Sequence, residues 1–456
     1  MSEKNRSPTS PANFPPGFLD FLQSNHIDPR VYDMHRKLPR YVRILGYHRL
    51  SQEQIQSLVE QIRADAGCNV SGVAGVPGFL AIADPSVKLS QLTASRDKRI
   101  VGIDVSSGIA ALSLSVEPGD NVLDLCCAPG AKLLYLAEMV AAANEGDGAV
   151  DGSGVCAKRG SVTGVDIAAH RAATCRSIIT KYAGRNKGHV RVFVDDGTVF
   201  DSKAPPDGWW DPRVIRQAVS SETSGPKGKG KGKGMGKRQM RRQQGTPWFA
   251  AHLLSTPYAV GGTDLYDRVL VDAECTHDGS LAHILKYGGW GWDQLETQVV
   301  GNGRGSSVPI LQSQLLENGW RLLRPGGILV YSTCSLSRMQ NEYVLAGFLS
   351  RHANDEACVE PLDIPDHLDL QPHEAVAAGQ PNDGMCAVFA SPVWTPQTEA
   401  EWAACGLEDK RDLFERMRSA ARFDPLVSNT SGMFIARIRK LRHSPKQFKP
   451  EELVPI

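Results

Sequence analysis

The sequence predicts an α/β protein whose main domain is built on a doubly wound, largely parallel sheet. Short apolar runs recur at residues 121–125, 161–166, 190–194 and 267–271, several of them closing on an acid. Helical segments follow the first two runs, at 133–141 and about 169–182. Strands buried on both faces read as continuous apolar runs, and parallel neighbours need a crossover, usually a helix, between them.

Taken in chain order, residues 1–29 read as a loosely ordered tail, and 39–43, Pro-Arg-Tyr-Val-Arg, alternates like an edge strand. A helix follows over 50–66. Ser51 and Gln54 have capping-box spacing, Leu50 and Ile55 suit a staple, and Ile55, Leu58, Val59 and Ile62 form the apolar stripe. Residues 30–112 therefore read as a smaller N-terminal domain, and 113–442 as the main one. Within the main domain, the segment 201–264 holds no convincing alternation and reads as a disordered insertion between the third and fourth strands. Its Gly-Lys repeat is costly to order, and its lysines repel one another. After the fourth strand, a helix over 309–323 carries Leu311, Leu315, Leu322 and Leu323. The turn Arg324-Pro325-Gly326-Gly327 feeds a strand that leads to Cys334. Ser337 and Gln340 repeat the capping-box spacing ahead of a helix bearing Val344, Leu345, Phe348 and Leu349. A final strand at 433–438 is expected to run antiparallel, and 443–456 reads as a tail.

Composition excludes several classes. No stretch approaches the roughly 20 apolar residues that cross a bilayer, and the first residues lack the apolar core of a secretory signal. The ten cysteines include no Cys-x-x-Cys pair, so a reduced intracellular protein without a metal site is expected. Net charge is +1, yet eight Lys/Arg fall within 227–242 with no acid among them. Positive charge is thus a local patch, suited to grazing phosphates without sequence preference.

Two cysteines carry most of the chemistry. Cys275 lies in Asp272-Ala273-Glu274-Cys275-Thr276 and Cys334 in Ser332-Thr333-Cys334-Ser335, each following an apolar run. Carboxyl ends of parallel strands line the ligand crevice of such sheets, so both thiols and Asp272 are expected at one rim. A thiol attacks electron-poor carbon, and a neighbouring acid activates the ring under attack, which points to covalent chemistry on a pyrimidine. Upstream, Cys126-Cys127-Ala128-Pro129-Gly130-Ala131-Lys132 opens a helix after a strand, where small residues let a ligand approach free N–H groups. Asp166 closes the next strand and suits ribose hydroxyls; Asp196, or its neighbour Asp195, suits an adenine amine. The loop has one glycine where a dinucleotide fingerprint needs three, which favours S-adenosylmethionine over NAD.

Leu123-Asp124-Leu125-Cys126-Cys127-Ala128-Pro129-Gly130-Ala131-Lys132, Leu323-Arg324-Pro325-Gly326-Gly327 and Tyr331-Ser332-Thr333-Cys334-Ser335-Leu336 resemble motifs of the NOP2/Sun family of RNA cytosine-C5 methyltransferases. Asn341-Glu342 and Pro39-Arg40-Tyr41-Val42-Arg43 are similar to further family motifs, and the likeness covers about residues 100–440. It implies a Rossmann-like class I methyltransferase fold with S-adenosylmethionine as cofactor and tRNA or rRNA as substrate. It further implies that Cys334 is the nucleophile, that Cys275 assists release, and that Asp272 lies by the cytosine ring. Residues 126–132, Asp166, Asp196 and Asp272 would line the cofactor, and Lys132 would reach towards the catalytic centre and lower the Cys334 pKa. The chain departs from the family pattern at Glu274, where proline is usual, at Cys127 and Ala131, where alanine and glycine are common, and at Gln340, usually glutamate. Residues 30–112 would recognise RNA, with Arg40, Arg43 and the basic insertion touching phosphates. The expected compartment is nucleus or nucleolus, or cytoplasm; the opening residues, with an acid, three prolines by Pro15 and no amphipathic Arg-rich pattern, weaken a mitochondrial reading. An alternative from another class is a noncatalytic RNA-binding or ribosome-assembly factor on a degenerated methyltransferase fold, for which Glu274 is the best argument.

Overall fold

The computed structural model describes residues 14–146, 160–184, 189–205, 248–249, 264–295, 304–362, 385–442, 448 and 452–453. Most of the basic insertion lies outside the described residues. The chain divides into two compact units. The first comprises Met1–Ser113, Ala273–Glu317 and Val330–Ile456; the second comprises Leu114–Asp272 and Asn318–Leu329.

In the first unit, β1 (Arg40–Ile44), β2 (Val70–Gly72), β3 (Phe79–Ile82) and β4 (Ile100–Gly102) form an antiparallel sheet in the order β2-β3-β1-β4. The strand expected at an edge is therefore an inner one, and Arg43, expected to touch phosphates, is only 2% exposed. The helix Gln52–Ala66 covers this sheet with Leu58 and Ile62. Its N-terminus carries the expected capping box, in which the Ser51 hydroxyl accepts from Gln54 N and Gln54 Oε1 accepts from Ser51 N. Gly67, at φ +65°, ends it with a left-handed cap.

The tail reading of residues 1–29 needs correction where the structure describes them. Pro16–Ser24 is helical, and Phe18 and Leu22 are fully buried. With Phe14, Val31 and Tyr32 they pack on Leu281, Ile284, Leu285 and Tyr287 of the helix Leu281–Trp290. Burying a Phe or Leu side chain contributes about 1.5–3 kcal/mol, which is ample to hold a short helix with no side-chain N-cap.

The second unit holds β5 (Asn121–Asp124), β6 (Ser161–Asp166), β7 (Val190–Val194), β8 (Trp248–Phe249), β9 (Tyr266–Asp272) and the start of β10 (Leu323–Thr333), in the order β10-β9-β5-β6-β7-β8. The β9-β5-β6-β7 ladder is parallel, and β8 pairs antiparallel to β7. This two-residue strand falls inside the stretch read as free of alternation. β6 and β7 match the expected bounds. The helix Arg304–Leu322 starts five residues before Pro309, so the expected start at 309 falls inside the helix.

The last four residues of β10 belong to the first unit, as do β11 (Ala357–Glu360), β12 (Ser391–Pro392), β13 (Ala421–Phe423) and β14 (Met433–Lys440). β14 pairs antiparallel with both β11 and β13, as expected for the final strand. The second capping box is not formed. Arg338–Gln340 is a 3-10 turn, the helix Glu342–Arg351 begins after it, and the Ser337 hydroxyl instead donates to Asn25.

Candidate active site

In the first unit, the segment after β9 runs beside the end of β10. Ala273 N donates to Ser332 O at 2.9 Å, and Gly279 N donates to Cys334 O at 2.9 Å. Between these rungs the Cys275 and Cys334 Sγ atoms lie 3.2 Å apart. That is far beyond the ~2.05 Å of a disulfide and within reach of an S–H···S hydrogen bond.

A residue the sequence reading did not single out joins them. His277 Nδ1 stands 3.0 Å from Cys334 Sγ and 3.6 Å from Cys275 Sγ. Its backbone takes φ +56°, a left-handed conformation in which a non-glycine residue is uncommon. Ser280 N, donating to His277 O at 2.9 Å, helps close the turn.

The two thiols are electrostatically unlike. Hydrogen bonding with Cys275, reinforced by His277 and Ser280, holds Cys334 well below the ordinary thiol value against the effect of burial. Its bond to Cys334, together with burial, pushes Cys275 well above that value. The imidazole of His277 is raised, chiefly by its bond to Cys334 and further by the charges of Cys334, Glu274 and Asp278. The favoured arrangement is thus a thiolate on Cys334, a thiol on Cys275 and an imidazolium on His277.

Asp278 ties the two cysteine segments together. Its side chain is fully buried and accepts from the Thr276 hydroxyl, from Ser335 Oγ at 2.7 Å and from Leu336 N at 2.7 Å. Tyr32 Oη donates to Asp278 O at 2.9 Å, so the N-terminal segment buttresses this loop. Gln340 clamps the same loop: its Oε1 accepts from Thr276 N at 3.1 Å, and its Nε2 donates to Thr276 Oγ1 at 2.9 Å. Gln312 Nε2 donates to Glu274 O at 2.9 Å. Asn341 Nδ2 donates to Ser335 O at 2.8 Å and its Oδ1 accepts from Thr333 Oγ1 at 2.6 Å, while Glu342 accepts from Arg422 Nε and Nη2 at 2.5 and 2.6 Å. Gly279 and Gly432 meet backbone to backbone; a Cβ on Gly279 would come within 2.7 Å of Cys334 O and 2.9 Å of Gly432 Cα.

The second unit carries the remaining sequence-predicted residues. Lys132 Nζ and Asp272 Oδ2 form an ion pair at 2.9 Å, so the ammonium is engaged by that carboxylate. The loop 126–132 begins at Asp124, whose Oδ1 accepts from Cys126 N at 3.3 Å. Asp124 Oδ2 is buried with no hydrogen-bond partner, and burial, aided by the charge of Asp272, pushes the carboxyl up to about 8. Cys127 points into the core, its Sγ 3.7 Å from Cys175 Sγ and tight against Gly164. Pro129 is exposed and Ala128 buried, and the peptide between them is cis. At Gly130, with φ +110°, a Cβ would meet Cys175 Cα at 3.0 Å, so the turn requires glycine. Ala131 opens the helix Ala131–Gly146. Asp166 Oδ1 accepts from Ala168 N at 2.9 Å and Oδ2 lies 3.6 Å from Arg171. Asp196 Oδ1 accepts from Thr198 N and Oγ1 at 2.9 and 2.8 Å, and Asp195 Oδ1 accepts from Asp196 N at 2.8 Å. Strand-end acids thus recur at β5, β6 and β7, and of these acids only Asp124 keeps a buried oxygen unpaired.

Residues 249–439 match the family model described as 16S rRNA methyltransferase RsmB/F. The chain is 28% identical over 251 residues, 54% of its length and 43% of the relative's, to the 5-cytosine rRNA methyltransferase NSUN4 of Bos taurus. It is 26% identical over 341 residues, 73% of its length and 41% of the relative's, to the multisite-specific tRNA:(cytosine-C(5))-methyltransferase trm4b of Schizosaccharomyces pombe. It therefore spans less than half the length of these two curated relatives. A solved methyltransferase homologue from Pyrococcus horikoshii superposes with a TM-score of 0.50 at 20% identity, covering 94% of this chain and 100% of the other. The fold is that of the Rossmann-like class I methyltransferases.

Proposed function

We propose, for a chain that belongs through residues 249–439 to the RsmB/F, or NOP2/Sun, methyltransferase family, that it methylates C5 of a cytosine in RNA with Cys334 as covalent nucleophile. The observation that carries the reading is the inequivalent thiol pair: two sulfurs 3.2 Å apart, one favoured as thiolate and the other as thiol. A buried structural cysteine needs no such asymmetry. Chemistry on cytosine does, because C5 becomes nucleophilic only after a thiolate adds at C6. The pair also weighs against the noncatalytic alternative, since Glu274 leaves both sulfurs in hydrogen-bond reach of one another.

The second unit's strand ends suit a cationic methionine-adenosine. Asp124 offers a buried oxygen with no partner, and Asp166 and Asp196 stand at the next two strand ends. Cofactor contacts are assigned to residues 126–132, Asp166 and Asp196, those of Cys127 to its backbone because its side chain is in the core. S-adenosylmethionine supplies the electrophilic methyl that C5 takes up. Cys334 forms the bond to C6 and later leaves it; Cys275, held protonated, assists that release. Asp272, three residues before Cys275 in the chain, would stabilise the adduct through N3, with Lys132 setting its charge. The cytosine must leave any stack to be reached, which favours a loop or an opened helix in tRNA or rRNA as substrate.

Denaturing gels of protein incubated with cellular RNA and labelled S-adenosylmethionine test this. Cys334→Ala should abolish both methylation and the covalent adduct, whereas Cys275→Ala should accumulate a methylated adduct. An adduct with Cys334→Ala that vanishes with Cys275→Ala would exchange the roles. Wild-type protein giving neither product nor adduct on any RNA fraction would favour the noncatalytic reading.

A further inference from the structure

We propose that His277 is a further catalytic residue of this chain, the proton acceptor that makes Cys334 the nucleophile of the pair. The inference rests on the methyltransferase reading for its purpose but not for its chemistry. Two sulfurs face each other at 3.2 Å, and something must decide which one carries the charge. His277 Nδ1 is 0.6 Å closer to Cys334 than to Cys275, at 3.0 against 3.6 Å. The proton on Cys334 Sγ passes to Nδ1; the sulfur pair then forms the S–C6 bond and the ring C5–C6 π pair moves to C5. After C5 has taken up the methyl carbon, its proton passes to water, the C5–H pair rebuilds the C5–C6 double bond, and the C6–S pair returns to sulfur facing the same imidazolium N–H.

The backbone supports a built arrangement. A histidine at φ +56° forgoes the ordinary conformations, a cost of about 1 kcal/mol or more that surrounding contacts must hold in place. Those contacts are the Gly279 and Ser280 N–H bonds, which close the turn on Cys334 O and His277 O. The unusual Glu274, in the position where the family resemblance has proline, adds negative charge that favours the imidazolium. Asp278 acts in the same sense on His277, and its charge opposes the thiolate of Cys275. Ser280 hydrogen-bonds Cys334. His283, its ring centroid 5.6 Å from that of His277, is held down by burial and by the charges of His277 and Lys286, so it stays neutral beside the imidazolium. Proton transfer from the half-buried Cys334 to the exposed His277 thereby leaves the thiolate paired with a cation instead of alone.

The test reads the thiol without any RNA. Full-length protein, kept with a chelator so that no thiol-bound cation sets the result, is alkylated with iodoacetamide between pH 5 and 10. Peptide mass spectrometry then follows Cys334, with exposed Cys405 as internal standard. Wild-type Cys334 should react with an inflection below the ~8.5 of a free thiol. His277→Asn tolerates the left-handed backbone but takes no proton. It should move the inflection up towards ~8.5 and slow Cys334 at pH 6.5 on the order of tenfold, one unit of pKa. Superimposable profiles would overturn the proposal. Should His277→Asn fail to fold, the reciprocal measurement serves: histidine NMR titration of Cys334→Ala, in which the His277 value should fall from its raised position, and no fall overturns the proposal. A shifted profile combined with full RNA methylation by Cys334→Ala would sink the methyltransferase reading of Cys334 and leave the role of His277 as its proton acceptor intact.

Discussion

Two buried aspartates, one in each unit, make an instructive pair. Asp278 and Asp124 are 0% and 1% exposed, and burial raises the carboxyl of both. Asp278 accepts from a threonine hydroxyl, a serine hydroxyl and a backbone N–H. Asp124 accepts one long bond from Cys126 N and leaves Oδ2 bare. A polar group in the interior is expected to be paired, and leaving it unpaired costs about 1–3 kcal/mol. A carboxylate with every demand met is a structural tie; one left short is poised for something that arrives later. Residue type and burial alone do not separate the two, whereas the count of donors does.

The contrast can be broken first at Asp278. Asp278→Asn cannot accept from Leu336 N with its amide nitrogen, so the tie between the cysteine segments is cut. Denaturant unfolding should show a loss of about 2–3 kcal/mol, and adduct formation should fall with it. Equal stability of variant and wild type would mean that the Leu336 N bond contributes nothing net.

Asp124→Asn should act in the opposite sense on the free protein. The folded value near 8 lies above the unfolded 3.8, so the unfolded chain releases its proton first as pH rises, and stability is lost between those two values. The amide variant escapes that loss. Its advantage in thermal unfolding should be absent near pH 4, grow through neutrality and level off above pH 8, reaching a few kcal/mol. Calorimetry should show its affinity for S-adenosylmethionine reduced on the order of tenfold or more. An advantage independent of pH would remove Asp124 from the argument.

Lys132→Met sharpens the comparison within the second unit. It deletes the partner of Asp272 in a partly exposed ion pair, so stability should change by no more than ~1 kcal/mol. A turnover loss much larger than the stability change would assign Lys132 to the chemistry. Ser51→Ala, at the capping box in the first unit, should cost about 1 kcal/mol and leave thiol reactivity untouched.

How much of this was legible in the sequence follows from the range of each signal. β6 and β7 were readable because buried parallel strands write themselves as unbroken apolar runs. Cys275 and Cys334 were readable because each closes such a run. β1 was misplaced because Arg40 and Arg43 suggested a solvent-facing edge, whereas neighbours on both sides bury Arg43. Ser337 and Gln340 had the right spacing for a cap, yet Gln340 is taken by Thr276, 64 positions away. His277 went unremarked for the same reason: its partner is 57 residues distant and its backbone conformation leaves no mark in composition. The one available hint was the polar triplet Thr276-His277-Asp278 directly after a cysteine.

The meeting of Gly279 and Gly432 has a consequence for how the protein is made. Gly432 N donates to Gly279 O at 2.8 Å, and Gly279 N in turn holds Cys334 O, so the loop facing Cys334 is latched by a residue roughly a hundred positions further along the chain. At about 5–20 residues per second on the ribosome, Cys334 spends several seconds as an unlatched thiol before Gly432 is even polymerised. A nascent chain therefore carries the Cys334 sulfur well before it carries the contact that latches the facing loop, and that loop is latched only once Gly432 has been made.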